Sequence, residues 1–119
     1  MAKLIAVLRK HTWEDWNIAD WPNNPLSVFT QEEYDKIVVP YLSYMRSLPG
    51  LAVDDIQYIK DGNEHVTIRT FDTVENAKIA QAALTYETAP QVVRSMTILL
   101  KAKQQERGYD YSRELKLLP

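Results

Sequence analysis

Apolar positions along this chain change their spacing several times, and each change marks the edge of an element. Lys3 to Lys10 is apolar almost throughout, with Leu4, Ala6 and Leu8 on one side of an extended chain and Ile5 and Val7 on the other. A short run apolar in both directions predicts a strand buried on both faces. Thr30-Gln31-Glu32-Glu33 reads as a capping box, the Thr30 hydroxyl accepting from the Glu33 amide while the Glu33 carboxylate reaches back. Behind it Tyr34, Ile37, Val38, Tyr41, Leu42, Met45 and Leu48 recur at helical spacing. Pro40 sits within that helix and predicts a kink, because it has no N–H to donate and crowds the carbonyl one turn back. Pro49-Gly50 ends the helix.

Two strands are predicted next, over 51–60 and 64–71, flanking the hairpin signal Asp61-Gly62-Asn63. In the second strand Val66 and Ile68 share one face, and His65, Thr67, Arg69 and Phe71 the other. Asp72 with Glu75 opens a second helix, whose Val74, Ala77, Ala80, Ala83 and Leu84 suit close packing on a sheet. Gln91 to Lys101 reads as a last strand, with Val92, Met96, Ile98 and Leu100 on one side. The resulting order, β-α-β-β-α-β, is the split-βαβ, ferredoxin-like α+β arrangement with an antiparallel sheet. The expected organisation is a domain over 1–101 and a C-terminal extension over 102–119, which leaves helix, swapped arm and disorder open for the polar tail. Within the domain, 11–29 forms an insertion that holds all three tryptophans, Trp13, Trp16 and Trp21, with Pro22 and Pro25. A connection of that length carries structure or function of its own, and Thr12 with Asp15 predicts a short helical turn over 13–19.

Composition narrows the partners. At 119 residues the chain is one domain. A net charge of −2 gives no basic field for a phosphate backbone or an anionic membrane, so neither nucleic acid nor membrane is expected as a partner. An RNA-recognition module has the same element order, but Glu64-His65-Val66-Thr67-Ile68-Arg69 lacks its basic and aromatic spacing. With no cysteine there is no disulfide, thiolate nucleophile or thiolate metal site. The apolar start is too short for a signal peptide and no run reaches a membrane span, so a cytoplasmic protein is expected.

In this order of elements the helices cover one sheet face and leave the other free. The first strand is apolar both ways, and the expected last strand adds Val93 and Leu99, which makes that free face a surface needing a partner. A homodimer packed through it is the expected assembly, with a tail folded back over the sheet as the competing cover.

Pro49-Gly50-Leu51 after an amphipathic helix, the Asp61-Gly62 hairpin, and Phe71-Asp72-Thr73-Val74-Glu75-Asn76-Ala77 resemble the antibiotic-biosynthesis-monooxygenase type of dimeric α+β barrel. The resemblance runs through the order of elements from Leu4 to Leu100. It implies a dimeric barrel, and a family of cofactor-independent oxygenases, haem-degrading enzymes and members with no known activity. It therefore assigns no cofactor. No local motif carries that family's catalytic residues onto this chain, and the long Trp-bearing loop departs from its compact pattern.

Candidate chemistry rests on few residues. His65 and Arg69, with Thr67 between them, read as an acid/base group beside a carboxylate-binding guanidinium, or as a polar strip on a solvated or interfacial sheet face. Trp13, Trp16 and Trp21 with Asn17 read as the lining of a pocket for a flat apolar ligand, or as a staple holding the loop to the barrel end or filling the dimer interface. Asp54, Asp55 and Asp61 lack the further spaced ligands of a cation site, so no metal is expected. Two functions follow as expectations. One is a small-molecule enzyme of the monooxygenase-like kind acting on a flat apolar substrate, His65 and Arg69 supplying polar contacts and the Trp loop a lid. The other is a non-catalytic homodimer binding a small ligand or a protein through that loop.

Overall fold

A computed structural model describes residues 1–9, 29–61, 64–106 and 112–119. The chain runs β1 (Ala2–Arg9), α1 (Gln31–Glu33), a π turn (Tyr34–Val38), α2 (Val39–Arg46), a 3-10 turn (Val53–Asp55), β2 (Gln57–Asp61), β3 (Glu64–Phe71), α3 (Val74–Leu84), α4 (Gln91–Glu106) and β4 (Ser112–Leu118). The four strands form one antiparallel sheet in the order β2-β3-β1-β4. This is a ferredoxin-like α+β fold with an extra helix before the last strand.

That helix corrects the expected ending. Gln91–Glu106 is helical, and the strand expected there comes instead from Ser112–Leu118, within the segment assigned to a C-terminal extension. Pro90 begins the helix, where a missing N–H leaves nothing unsatisfied, and its carbonyl accepts from both Val93 and Arg94 at 3.1 Å. Val93 and Leu99 therefore belong to the helix-side core and add nothing to the free sheet face. That core takes Ala2 and Leu4 from β1, Phe71 from β3, Val38, Tyr41 and Met45 from the first helical segment, the alanines of α3, and Val93, Met96 and Leu99 from α4. Leu115 and Leu117 pack against it from β4.

The capping box is present: Thr30 Oγ1 accepts from the Glu33 N–H at 3.1 Å, and Glu33 Oε1 accepts from the Thr30 N–H at 2.9 Å. Pro40 produces a change of helix type. The Tyr34 carbonyl accepts from the Val39 N–H, one residue further along than in an α-helix, and Pro40 then stands in the first turn of α2. The widened turn relieves the clash that a proline imposes on a regular helix. Helix α3 is capped by Thr73, whose hydroxyl accepts from the Asn76 N–H, while Asp72 takes the Asn76 side chain at 2.8 Å. Gly50 has φ +72°, and its carbonyl accepts from the Asp72 N–H, joining the end of the first helical segment to the start of α3. The hairpin strands pair up to Asp61 and Glu64, with Gly62 and Asn63 between them outside the described residues. The turn expected over 13–19 also lies outside them.

Candidate functional site

Arg69 stands opposite Leu4 on β1 and two positions from Phe71, both of which are fully buried in the helix-side core. Strand alternation therefore puts Arg69 on the helix-covered side of the sheet, where it is 6% exposed. The polar strip read in β3 thus belongs to the covered side at Arg69 rather than to the open one. Its Nε and Nη1 are buried, and among the described residues no atom accepts a hydrogen bond from either. Burying an ionised group without a partner costs several kcal/mol, and arginine cannot escape that cost by losing its proton.

Tyr58 on β2 pairs with Thr67, the β3 residue two before Arg69. Burial pushes the Tyr58 phenol above its ordinary pKa of 10.0; Tyr41 adds to the rise, while Arg69 and Arg46 oppose it. Tyr58 therefore stays a neutral phenol at physiological pH, able to donate and accept. The charges of Arg69 on β3 and Arg46 on α2 thus act on the Tyr58 phenol against the effect of burial. A buried guanidinium of this kind can pair with an anionic or strongly polarised oxygen.

A second unpartnered group lies on α4. Gln104 is fully buried, and among the described residues neither its Nε2 nor its Oε1 has a hydrogen-bond partner. Beside it Lys103 Nζ meets Glu33 Oε1 at 2.9 Å, tying the end of α4 to α1. Burial pushes the Glu33 carboxyl up, but the Lys103 ammonium and the Thr30 N–H outweigh it and hold the group below 4.5. Helix α4 also packs on α2 and the π turn, and its Val93, Met96 and Leu99 join the apolar cluster. Gln104 falls in the polar tail expected after Lys101, beyond the strand expected over 91–101, and so is not among the expected site residues. At helical spacing Val93, Leu100 and Gln104 fall on one stripe, and a polar residue ending an apolar stripe was the available signal.

Of the other expected site residues, Thr67 is half-buried on the strand position between His65 and Arg69. His65 pairs with Leu8 and Lys60; its side chain lies outside the described residues. Trp13, Trp16, Asn17 and Trp21 lie outside them as well. Asp54 and Asp55 are exposed in the 3-10 turn, and among the described residues no three His, Asp or Glu side chains come together as metal ligands. No helix among those residues is long and apolar enough to cross a membrane.

No protein-family model matches the chain, and no curated protein matches it in sequence. Solved structures do. A variant of SnoaB, a cofactor-independent oxygenase from Streptomyces nogalater, is similar over 99% of this chain and 90% of its own, at 13% identity and a TM-score of 0.50. A dimeric ferredoxin-like protein from an uncultured marine organism is similar over 98% of this chain and 92% of its own, at 13% identity and a TM-score of 0.43. The chain thus has the ferredoxin-like α+β fold on which SnoaB is built, the fold implied by the resemblance of Pro49–Leu51 and Phe71–Ala77 to antibiotic-biosynthesis monooxygenases.

Proposed function

We propose that the chain binds a small, flat, largely apolar molecule carrying an acceptor oxygen, held between sheet and helices with that oxygen on Arg69. The observation that carries this reading is a buried guanidinium with two donors that no atom of the described residues uses. Tyr58 and Thr67 lie beside it as further polar contacts. His65 is proposed as the acid/base group of the same strand, and Trp13, Trp16, Asn17 and Trp21 as the lining and lid. Because the two nitrogens are covered, a ligand displaces the groups over them, and pairing the donors offsets that displacement.

SnoaB is a cofactor-independent oxygenase, which supports oxygenase chemistry as the enzymatic form of this reading. In that form Arg69 stabilises negative charge on a substrate oxygen in a dry site. Isothermal titration with 2-naphthoate, repeated on Arg69→Met, tests binding. Saturable binding by the wild type and its loss in the variant are expected; equal binding by both overturns the site. Oxygen uptake with 1,3-dihydroxynaphthalene tests the chemistry. Binding without uptake leaves the non-catalytic ligand-binding module.

The chain is further proposed to pair with a second copy through the sheet face opposite the helices. There Ile5, Val66 and Ile68 are half-buried, and Ile59 and Leu118 are 42% and 45% exposed. Light scattering behind gel filtration at micromolar concentration decides it, a strict monomer refuting the pairing.

A further inference from the structure

A cleft of about 340 Å³ opens between the end of α3, the middle of α4 and β4. Leu84, Thr85, Tyr86 and Glu87 line one side, Thr97 another, and Arg113 and Leu115 a third. None of Arg69, Tyr58, Tyr41 or Arg46 takes part in it, and β1 separates β4 from β3.

The chemistry of its walls is divided. Arg113 is a half-buried cation whose side chain has no ion pair or hydrogen bond among the described residues, and its five N–H groups can only donate. The hydroxyl hydrogens of Thr85 and Thr97 are already given to the carbonyls of Gln81 and Val93, at 2.8 and 2.9 Å. Those two oxygens are left as acceptors, and Glu87, whose carboxylate has no ion pair among the described residues, brings a third acceptor group to the lining. Opposite charges lining one cleft ordinarily close on each other, yet Arg113 and Glu87 form no ion pair. Leu84 on the acceptor wall and Leu115 on the donor wall add apolar surface to the cleft.

The wall from Leu84 to Glu87 is also fixed in place. Arg94 lies 5.3 Å from the Tyr86 ring centroid and donates to the Tyr86 and Glu87 carbonyls at 2.9 Å each. The Thr85 N–H donates to Gln81, and the Thr88 hydroxyl donates to Ala82. A segment held this way loses little freedom when a ligand arrives.

We propose that this cleft binds a free α-amino acid with an apolar side chain. Its carboxylate pairs with the Arg113 guanidinium, its ammonium donates to Glu87 and the two threonine oxygens, and its side chain lies on Leu84 and Leu115. The fork of arginine matches a carboxylate, and the acceptor-only oxygens match an ammonium.

The test is an NMR titration of the full chain with L-phenylalanine, set beside 3-phenylpropionate and phenethylamine, which each lack one of the two charges. Saturable shifts confined to residues 84–87, 97 and 113–115 are expected, with each analogue about tenfold weaker, one charge-assisted contact having been removed. Glu87→Gln abolishes the preference for phenylalanine over 3-phenylpropionate, and Arg113→Gln weakens phenylalanine by a similar factor. Absence of saturation by about 20 mM, weaker than any useful pocket, overturns the proposal. So does equal binding of the three probes, or a preference that survives in Glu87→Gln. Glu87 is exposed on a turn, so that variant carries the test even where Arg113→Gln does not fold.

Discussion

Replacing Arg69 by methionine should make the unliganded protein more stable, the reverse of the usual outcome of a core substitution. The side chain is 6% exposed and two of its donors are unused. Each unsatisfied buried donor costs about 1–3 kcal/mol, and more on a charged group. Methionine keeps the unbranched stem in contact with the core and removes the charge. Against the relief, about 2–6 kcal/mol for two donors, stands the packing lost with the guanidinium, on the order of 1–2 kcal/mol for a partly filled gap. A net gain of about 2 kcal/mol remains, worth a rise of roughly 6–12 °C in Tm for a domain this size. Thermal unfolding by circular dichroism, in a low-salt buffer free of multivalent anions, measures it. Urea unfolding with an unchanged m-value confirms that the folded state is responsible. The same variant loses the stabilisation that 2-naphthoate gives the wild type. A fall in Tm of several degrees in Arg69→Met would refute the reasoning, because it would mean that the guanidinium is satisfied within the fold.

Four further outcomes follow from other parts of the molecule. Gln104→Met should also raise Tm, since it removes an amide buried without a partner, and a loss in thermal melts would show that the amide has one. Gly50→Ala should cost about 2–4 kcal/mol, because φ is +72° and a Cβ would collide with the Asp72 carboxylate and the Asn76 amide; chemical denaturation reads it. The folded-state pKa of Tyr58 is raised, so its contribution is fully present below pH 10 and is lost as the pH climbs through the higher folded value. Tyr58→Phe should flatten that alkaline decline in a pH series of melts. The Glu33 pKa is lowered, so its contribution is present above 4.5 and lost as the pH falls through the folded value. Lys103→Met should reduce that acid sensitivity, at a cost of about 1 kcal/mol at neutral pH.

Local chemistry read well where one physical signal stood alone. Thr30 and Glu33 satisfy each other across three residues, and no other geometry uses that pair so fully. Asp61-Gly62-Asn63 lay between strands that pair on either side of it. Gln91–Glu106 was ambiguous because Val92, Met96, Ile98 and Leu100 fit a period of two, while Val93, Met96, Leu100 and Gln104 fit a helix. Length decides such cases: a uniform segment of 16 residues is long for a strand and ordinary for a helix. Ser112–Leu118 alternates cleanly, with Arg113, Leu115 and Leu117 against Glu114, Lys116 and Leu118, but with the fourth strand already assigned it had no place to go. In the site, Arg69 was visible as a residue type, and its face followed from alternation with Phe71. Its lack of a partner was not legible, because an unused donor is a property of everything around it.

The pairing of β1 with β4 has a consequence for how the chain reaches its fold. Lys3 lies opposite Leu118, so the sheet joins segments more than a hundred residues apart. A contact of that span forms late, since the entropy of closing so large a loop must be met before the pairing returns anything. Until β4 docks, β1 shows an open edge of backbone donors and acceptors flanked by Leu4, Ala6 and Val7. That edge accepts the β4 of another molecule as readily as its own. Refolding at high concentration should therefore yield strand-exchanged oligomers and dilution should suppress them, which makes the final seven-residue strand the checkpoint between folding and aggregation.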